Sequence, residues 1–425
     1  MERNTKMRKN ALVILSRYLW PVDGGRKESL NHYLKELYDN YQYDITILCF
    51  LESSQSVKKE DQPYYIKKVV ALRDVDFCEK ILNIFKYTLG TARWPFQCSL
   101  YFSKENNMLI QKYVNVLKPD LIFTEMIRTC SYYQAFKDSK AIKLANLDDL
   151  LSLRYRRQLK AKNSAANFAG AYSDKLPHWI ARFISSGFVK NAVLKIEASR
   201  CEIWEKKFYE LYDYSLMTSD IERDKLNCEM NGDKAKTLTV GVDCEYYGKE
   251  IHRKKDEKGL SYVGNFSVAS NVDTLKMIVE EILPHIKSDY KFYVIGKCPD
   301  DIKNRYISNS KIEFCGRVDD LREYVKSTAI FISPIAYGTG IKTKIVEAMA
   351  MKMPVVTNSV GAEGINAKSG QDYIVSDNLM DIAAAVDRLL EDSELAKKIG
   401  ENAGSFAYEH FRWEKVFAVY KEIGV

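Results

Sequence analysis

The stretch YGTGIKTKIVEAMAMKMP, Tyr337–Pro354, decides the fold of this chain. Its two glycines, Gly338 and Gly340, predict a turn that leads directly into a helix. The apolar run Ala329–Ser333 before the turn and the run Pro354–Thr357 after the helix are typical of short buried strands. A strand, a glycine turn and a helix N-terminus can hold a phosphate, because backbone N–H groups and the positive end of the helix dipole point to one place.

Charged side chains occupy the first two turns of this helix, which is expected to begin at about Ile341. They are Lys342, Lys344 and Glu347. Because Lys344 and Glu347 are three positions apart, they share a helix face. A lysine that faces phosphate and a carboxylate that accepts hydrogen bonds from sugar hydroxyls together suggest a nucleotide-sugar site. The alternative is a tight strand-to-helix connection that carries a solvated ion pair.

Length and composition limit the class of protein. A chain of 425 residues is long for one core, so we expect two domains. Its 46% hydrophobic and 28% charged residues are ordinary for a soluble globular protein. A formal net charge of +7 fits attraction to phosphates or to an anionic membrane surface. No basic run alternates with aromatic residues, so we expect no nucleic-acid partner.

The nine cysteines include no C-x-x-C pair, which argues against a disulfide framework or a zinc site and favours a reducing compartment. The apolar run Ala11–Leu15 follows basic residues, but it is too short for a secretory signal and is interpreted as a buried strand. The sequence contains no run of about 18 apolar residues, so we expect no transmembrane helix. We therefore expect a cytoplasmic protein, with peripheral contact at the inner face of the membrane as a further option.

Short apolar runs alternate with helical patterns along the chain, which indicates parallel α/β sheets. In the first half the expected strands are Ala11–Leu15, Ile45–Phe50, Tyr64–Leu72, Leu121–Phe123, Ile142–Asn146 and Leu216–Ser219. In the second half they are Leu238–Val240, Leu260–Val263, Lys291–Ile295, Lys311–Phe314, Ala329–Ser333 and Pro354–Thr357. The polar stretch Arg223–Lys236 is expected to be a linker. The sequence thus predicts two Rossmann-like domains, residues 1–230 and 231–407, whose parallel sheets face each other across a cleft that binds ligands at the carboxyl ends of the strands.

A larger set of residues resembles the signature of family-4 retaining glycosyltransferases, the kind that build bacterial surface polysaccharides. The matching residues are Pro334, Gly338, Gly340, Lys344, Glu347, Ala348, Met349, Ala350, Pro354, Val355, Val356 and Gly361–Ile365. The resemblance implies the GT-B fold, with a last helix over 408–425 that packs back on the N-terminal domain. It also implies a metal-independent enzyme without a cofactor, which takes a nucleoside-diphosphate sugar as donor and retains the anomeric configuration.

The resemblance assigns roles to individual residues. Lys344 and Glu347 are the expected catalytic residues of the C-terminal domain. The expected substrate-binding residues are Gly24, Gly25, Arg26, Gly264, Asn265, Arg317, Gly338, Thr339, Gly340, Ile341, Lys342 and Glu363. Gly264 begins the family's nucleotide-facing loop, and Arg317 lies in the loop that closes over the base. Gly24 and Gly25 stand where the family has a diglycine loop facing the diphosphate, with a plain turn as the alternative.

Three features depart from the family pattern. Thr339 stands where most members have the first of two glutamates, although its hydroxyl can still donate and accept hydrogen bonds. Asn265 and Ser270 replace an arginine and a lysine of many members. Lys342, Lys344 and Arg26 are therefore the candidates to neutralise the diphosphate. The histidine that many members place near the reacting carbon is not evident.

Asp148 and Asp149 are the acidic residues expected near the reacting carbon. They follow a predicted strand, within Asn146–Arg157, which resembles an acidic segment of some members. The alternative is that an aspartate caps the next helix. Basic residues between Arg154 and Lys162 predict either contact with an anionic acceptor or a solvated helix face. The apolar side of Pro177–Leu194 favours packing on the N-terminal core over a membrane-interface helix.

The sequence therefore predicts a hexosyltransferase-type enzyme that moves a sugar to a hydroxyl of a glycan or of a lipid-linked acceptor. Two alternatives stay open. One is a non-catalytic nucleotide-sugar-binding subunit of a transferase complex, and the other is a GT-B nucleotide-sugar epimerase. A dehydrogenase is disfavoured, because no G-x-G-x-x-G opens the first helix.

Overall fold

The computed structural model describes residues 8–22, 24–51, 55–90, 92–160 and 187–425. These residues form two compact units. Unit 1 comprises the described residues within Met1–Arg156, Ala171–Leu238 and Phe417–Val425. Unit 2 comprises those within Arg157–Gly170 and Thr239–Val416. Each unit is built around a sheet of its own.

The sheet of unit 1 has seven parallel strands in the order β3-β2-β1-β4-β5-β6-β7. They are β1 (Lys9–Leu15), β2 (Tyr43–Phe50), β3 (Ile66–Leu72), β4 (Leu121–Glu125), β5 (Ile142–Asp148), β6 (Tyr214–Met217) and β7 (Ala235–Thr237). Val13 of β1 pairs with Ile47 of β2 and with Phe123 of β4, and all three are fully buried. The inner strands are apolar along their length because helices cover both faces of a parallel sheet.

Helices connect these strands. They are α1 (Gly25–Asp39), α2 (Phe77–Asn83), α3 (Phe96–Tyr101), α4 (Lys104–Leu117), α5 (Met126–Cys130), α6 (Leu151–Lys160), α7 (Gly187–Leu211) and α8 (Asp220–Met230). Helix α1 buries Leu30, Tyr33, Leu34 and Leu37, as the three-to-four-residue spacing in the sequence predicts. A π-helical turn, Ile84–Thr88, continues α2, and 3-10 turns occupy Lys59–Asp61 and Ser131–Ala135.

The sheet of unit 2 has six parallel strands in the order β10-β9-β8-β11-β12-β13. They are β8 (Asp256–Val263), β9 (Lys291–Ile295), β10 (Ile312–Gly316), β11 (Thr328–Ile332), β12 (Val355–Thr357) and β13 (Ile374–Val375). Successive residues of β11 serve opposite faces. Ile330 and Ile332 join one apolar core, and Phe331 joins the core on the other face.

The helices of the second half complete these layers. They are α9 (Cys244–Gly248), α10 (Ala269–Lys276), α11 (Asp300–Tyr306), α12 (Leu321–Val325), α13 (Thr343–Ala350), α14 (Ser359–Ala362), α15 (Leu379–Glu391), α16 (Ser393–Phe411), α17 (Trp413–Val416) and α18 (Ala418–Glu422). A π-helical turn, Met277–Ile282, and a 3-10 turn, Leu283–His285, follow α10. The pattern of Val272–Ile286 in the sequence predicts one helix here, and the structure divides it among these three segments.

The stretch Arg223–Lys236 is not a linker. Helix α8 occupies most of it, and β7 follows as the edge strand of the sheet of unit 1. The Asn227 side chain fixes this edge, because its Nδ2 donates to the Ala235 carbonyl at 3.0 Å and its Oδ1 accepts from the Ala235 N–H at 2.9 Å. The strand expected at Leu238–Val240 is wrong for the same reason: the edge strand lies just before it. An edge strand needs little apolar sequence, which made it resemble a linker.

The last helix expected over 408–425 is broken. Helix α16 continues to Phe411, and two short helices follow it. Phe417–Val425 belongs to unit 1, where the Phe417 ring packs edge-on against Tyr33 with 6.3 Å between ring centroids. The end of the chain is therefore part of the core of unit 1.

The segment Pro177–Leu194, with its predicted apolar side, lies outside the described residues up to position 186. Lys162 of the expected basic surface also lies outside them. In the part of the chain that the structure describes, no helix has both the length and the apolar character needed to cross a bilayer.

The strand order reverses at one point in each sheet. Strand β1 lies between β2 and β4, and β8 lies between β9 and β11. In a doubly wound sheet, the chain leaves these neighbouring strands toward opposite faces, which opens a crevice at their carboxyl ends. The ends of β1 and β4 in unit 1, and of β8 and β11 in unit 2, are therefore the places where each unit is expected to bind a ligand.

Candidate functional site

The reversal point of unit 2 is where the opening stretch of the sequence lies. Strand β11 ends at Ile332, and the loop that follows runs to Lys342 before α13 begins at Thr343. The neighbouring strand β8 ends at Val263 and is followed directly by Gly264. Both segments leave the carboxyl edge of the sheet. The predicted order of strand, turn, helix and strand is confirmed, and the helix begins two residues later than expected.

The loop before α13 has a shape that requires glycine. Gly340 has a φ of +68° and Gly338 a φ of +153°, conformations that other residues adopt at a cost. The Lys342 ammonium turns back onto this loop, where Nζ donates to the Gly340 carbonyl at 2.5 Å and to the Thr339 carbonyl at 3.2 Å. Lys342 therefore secures the loop carbonyls. Its own carbonyl accepts from the Ile345 N–H at 2.8 Å, which leaves the N–H groups of Thr343 and Lys344 at the N-terminal end of the helix.

Helix α13 separates its charged residues from its apolar ones. Ile345, Val346 and Met349 are fully buried in the core of unit 2, while Lys344 and Glu347 are only half-buried. The two charged side chains lie on one side of the helix, as their spacing predicts. The helix thus anchors a lysine and a glutamate at its N-terminal end, against a packed core.

The Lys344 ammonium contacts polar side chains from two other elements of unit 2. Its Nζ donates to the Asn271 side-chain oxygen at 2.7 Å and to the Tyr262 hydroxyl at 3.3 Å, and it lies 4.7 Å from the centre of the Tyr262 ring. Burial lowers the pKa of the Lys344 ammonium to about 7, Glu347 opposes this effect, and Lys342 adds to it. Lys344 is therefore a cation whose charge depends strongly on what lies next to it.

The other expected residues of unit 2 lie on separate loops at the same edge. The Asn265 carbonyl accepts a hydrogen bond from Asn271 Nδ2 at 2.9 Å, so the loop after β8 connects to Lys344 through Asn271. Arg317 follows β10 and is exposed. Glu363 follows α14, with 9% of its side chain exposed. The structure thus joins Asn265 to Lys344 and places Arg317 and Glu363 on loops of their own.

The reversal point of unit 1 holds a buried carboxylate that the sequence did not reveal as a site residue. Glu125 is the last residue of β4 and is fully buried. Its Oε2 accepts hydrogen bonds from the Ser16 N–H at 2.8 Å and the Ser16 hydroxyl at 2.5 Å, just beyond the end of β1. Its Oε1 accepts from Arg26 Nε at 2.8 Å.

Glu125 is ionised in this environment. Burial alone would raise its pKa, but the charges of Arg26, Arg17 and Arg128 and the hydrogen bond from Ser16 lower it to about 2. The carboxylate therefore holds Arg26 in one position. Arg26 Nη2 is buried and has no hydrogen-bond partner among the described residues, so this guanidinium has a donor to spare.

Asp148 and Asp149 differ in their partners. Asp148 ends β5 with a φ of +70° and forms an ion pair with Arg26. Asp149 is buried and pairs with Arg154 instead. The start of α6 receives its caps from elsewhere, since Ser152 N–H donates to Glu205 at 3.0 Å. Asp148 therefore pairs directly with Arg26, whereas Asp149, whose charge also acts on Arg26, pairs with Arg154.

Gly24 and Gly25 begin the helix that carries Arg26. Gly24 is extended, with a φ of −169°, and is followed by Gly25 as the first residue of α1. A Cβ at Gly24 would meet nothing within 4 Å. Gly24 therefore has open space around it at the head of α1, and no close approach of atoms in the described part of the chain explains the glycine at this position.

Among the described residues, no three His, Cys, Asp or Glu side chains cluster in a way that could hold a metal ion. The charged groups described above include Lys344 and Glu347 in unit 2, and Arg26 with Glu125 and Asp148 in unit 1. These are groups that bind anions and hydroxyls directly.

The amino-acid sequence of this chain is similar to those of known proteins. Residues 257–392 match the family model described as glycosyl transferases group 1. An uncharacterized glycosyltransferase of Methanocaldococcus jannaschii is 23% identical over 432 residues, which cover 98% of each chain. A Klebsiella pneumoniae protein described as lying in the cps region is 25% identical over 235 residues. That match covers 51% of this chain and 60% of the relative.

Solved structures share the whole fold. Sucrose-phosphate synthase of Thermosynechococcus elongatus superposes with a TM-score of 0.67 at 14% identity, over 98% of each chain. HepE of Anabaena, solved with UDP-glucose, superposes with a TM-score of 0.60 at 13% identity, over 97% of this chain and 98% of its own. Together with the two parallel sheets, these similarities establish the GT-B fold.

Proposed function

We propose that this protein is a glycosyltransferase that takes a nucleoside-diphosphate sugar as donor. Unit 2 is assigned to the donor and unit 1 to the acceptor. The observation that carries the proposal is the position of Lys344 at the head of α13, next to the loop after β8 and above a fixed glycine turn. The match of residues 257–392 to group 1 glycosyltransferases and the complex of HepE with UDP-glucose support it.

The chemistry asks for charge stabilisation. When the sugar leaves, negative charge builds on the diphosphate, and preorganised donors stabilise it without further rearrangement. The first-turn N–H groups of α13 and its dipole provide fixed donors, and Lys344 adds a point charge. Glu347, one turn farther along the same face, is assigned to hydroxyls of the donor. Thr339, Ile341 and the glycines shape the loop around the phosphates.

The Lys344 ammonium is suited to a ligand of this charge. Because its pKa is about 7, the protonated and neutral forms of the Lys344 amine are nearly equally populated near pH 7. A diphosphate within about 4 Å favours the charged form and raises the pKa again. The lysine is therefore expected to be fully charged when the donor is bound.

Unit 1 is assigned to the acceptor because of the Arg26–Glu125–Asp148 cluster. Glu125 keeps Arg26 charged and oriented, and the spare Nη2 donor of Arg26 suits a phosphate or hydroxyl oxygen. Asp148 is the acid of this cluster with partial exposure, 23% of its side chain. We assign it, rather than Asp149, to a hydroxyl of the acceptor.

The finer parts of the proposal rest on the resemblance in sequence. They are retention of the anomeric configuration, transfer of a hexose, independence from metal ions, and a role in bacterial surface polysaccharide synthesis at the inner face of the membrane. Product stereochemistry by NMR tests the first of these directly, and flotation with acidic liposomes tests membrane contact.

A donor screen is the central experiment. Purified protein is heated with UDP-, GDP- and ADP-sugars, and a specific donor present at about 100 times its Kd adds about 2.7 kcal/mol of stability. The matching donor is then used to measure turnover in Lys344→Ala and Glu347→Ala, which are expected to lower it by about 10²–10³-fold. Lys397→Ala, an exposed position on α16, is the control. Wild-type turnover in either site variant, or no stabilisation by any nucleotide sugar, would contradict the proposal.

A further inference from the structure

Side chains from other elements position the Lys344 ammonium. Three elements meet at its ammonium: α13 carries the lysine, β8 supplies Tyr262, and the start of α10 supplies Asn271. The shortest contact is to the Asn271 oxygen, at 2.7 Å, against 3.3 Å to the Tyr262 hydroxyl. The asparagine is therefore the principal hydrogen-bond acceptor of this cation among its described partners.

Asn271 is fixed from its other side as well. Its Nδ2 donates to the Asn265 carbonyl at 2.9 Å, and its Oδ1 also accepts from the Tyr262 hydroxyl at 3.3 Å. A Cβ at Gly264 would lie 3.1 Å from Asn271 Cγ, so the glycine after β8 leaves just enough room for this amide. The side chain thus connects the loop after β8 to the lysine of α13.

An amide is a particular choice at this place. An aspartate would hold the ammonium as a permanent ion pair and would repel a diphosphate, whereas an apolar side chain would leave the cation without its closest acceptor. The neutral carbonyl orients the lysine without adding a second negative charge to that of Glu347. The charge then remains available to an anionic ligand.

We propose that Asn271 is a positioning residue, whose side-chain carbonyl aims the Lys344 ammonium at the diphosphate of the donor. This inference rests on the proposed function of unit 2. It adds to the donor site a residue of α10, the helix that follows β8. That residue acts through the lysine rather than on the donor itself.

A double-mutant cycle tests the proposal with UDP-glucose as the probe. Asn271→Ala is expected to weaken UDP-glucose binding, measured by calorimetry, by about tenfold or more, the usual effect of losing a hydrogen bond to a charged group. In a Lys344→Ala background the same change is expected to alter binding less than twofold, because its effect passes through the lysine. Asn304→Ala, an exposed position on α11, is the control.

A second measurement needs no donor. The rate at which acetic anhydride labels the Lys344 amine, followed by mass spectrometry against pH, reports its protonation in the intact protein. The charged and titratable groups that act on this amine are Glu347, Lys342 and the Tyr262 hydroxyl. Relative to the wild type, Asn271→Ala is expected to shift the labelling profile to lower pH, and Asn271→Asp to shift it to higher pH.

The outcomes separate the two ideas. If the wild type binds no UDP-glucose, the choice of donor fails, while the labelling profiles still decide the role of Asn271. An unchanged labelling profile in Asn271→Ala would overturn the inference. So would an equal loss of binding in the presence and absence of Lys344, which would show that Asn271 only supports the loop after β8.

Discussion

The buried acid Glu205 is expected to make the stability of unit 1 depend on pH in an unusual direction. Glu205 lies on α7 and is buried, and its two oxygens accept hydrogen bonds from the Ser152 N–H at 3.0 Å and the Ser152 hydroxyl at 2.5 Å. Burial raises its pKa to about 7, although the hydrogen bonds from Ser152 act in the opposite direction. The folded protein therefore keeps a proton that the unfolded chain releases near pH 4.5.

The sign of the effect follows from proton linkage. Between pH 4.5 and pH 7 the folded state binds more protons than the unfolded state, so the free energy of unfolding falls as the pH rises. The contribution of Glu205 is fully present below pH 4.5 and is lost above pH 7. A shift of this size corresponds to about 3 kcal/mol as an upper value.

The variant Glu205→Gln removes this titration. Its amide offers an oxygen to the Ser152 N–H and an NH₂ group to the Ser152 hydroxyl, so it imitates the protonated acid. At pH 5.5 the variant and the wild type are expected to agree within about 1 kcal/mol, and at pH 8.5 the variant is expected to be more stable by about 2–3 kcal/mol. Urea unfolding followed by tryptophan fluorescence measures this, because Trp204 is next to Glu205.

Glu210→Gln, an exposed position on the same helix, is the matched control and is expected to leave the pH dependence unchanged. Two results would refute the reasoning. One is a pH slope in Glu205→Gln equal to that of the wild type between pH 5.5 and pH 8.5. The other is a variant less stable than the wild type at pH 8.5, which would show that the ionised carboxylate stabilises the fold.

Two further predictions concern the reversal points. Binding of UDP-glucose near pH 8 is expected to take up about one proton, because a diphosphate restores the charge of Lys344; calorimetry in buffers of different ionisation enthalpy measures this, and uptake that persists in Lys344→Ala would contradict it. Glu125→Gln is expected to lower the free energy of unfolding at pH 7 by about 1.5–3 kcal/mol, because it removes the buried ionised partner of Arg26 and leaves Asp148 to pair with the guanidinium. Since the folded pKa of Glu125 is about 2, this stabilisation is present above pH 4.5 and is lost toward pH 2. Denaturant unfolding of the wild type and the variant at pH 7 and pH 4 checks it, and equal stability at pH 7 would exclude the ion pair as a stabilising contact.

The parts of the fold that depend on neighbouring residues were predictable. The strand, turn and helix around Gly338–Ala350 follow from an apolar run, from glycines at positive φ and from an amphipathic spacing, all within a few residues. The parallel sheets follow from the same alternation repeated along the chain. Edge strand β7 and the broken C-terminal helices were not predictable in this way, because packing against distant residues, such as Tyr33 on Phe417, determines them.

The partners of the predicted charges could not be read from the sequence. Glu125 is the last residue of β4, whose apolar residues predict a strand. Its ion pair with Arg26 depends on β1 and β4 being neighbours in the sheet, which the sequence does not show. Asn271 is 73 positions from Lys344 along the chain, and nothing in its local sequence distinguishes it. Likewise, Glu197 and Glu205 of α7 cap the starts of α3 and α6, and only the three-dimensional arrangement shows this.

The two reversal points hold their cations in different ways, and the difference bears on what each can do. In unit 1, Arg26 is paired with an ionised, fully buried carboxylate, so its charge is compensated and its orientation is permanent. In unit 2, the Lys344 ammonium donates to the neutral oxygens of Asn271 and Tyr262, and burial lowers its pKa to about 7 although the Glu347 carboxylate opposes this. An arginine held by a buried carboxylate serves to orient a partner, whereas a lysine whose pKa burial has lowered gains its full charge when an anion binds. The donor diphosphate is therefore expected at the lysine of unit 2. Asn271→Asp should give Lys344 a permanent carboxylate partner, as Glu125 does for Arg26 in unit 1.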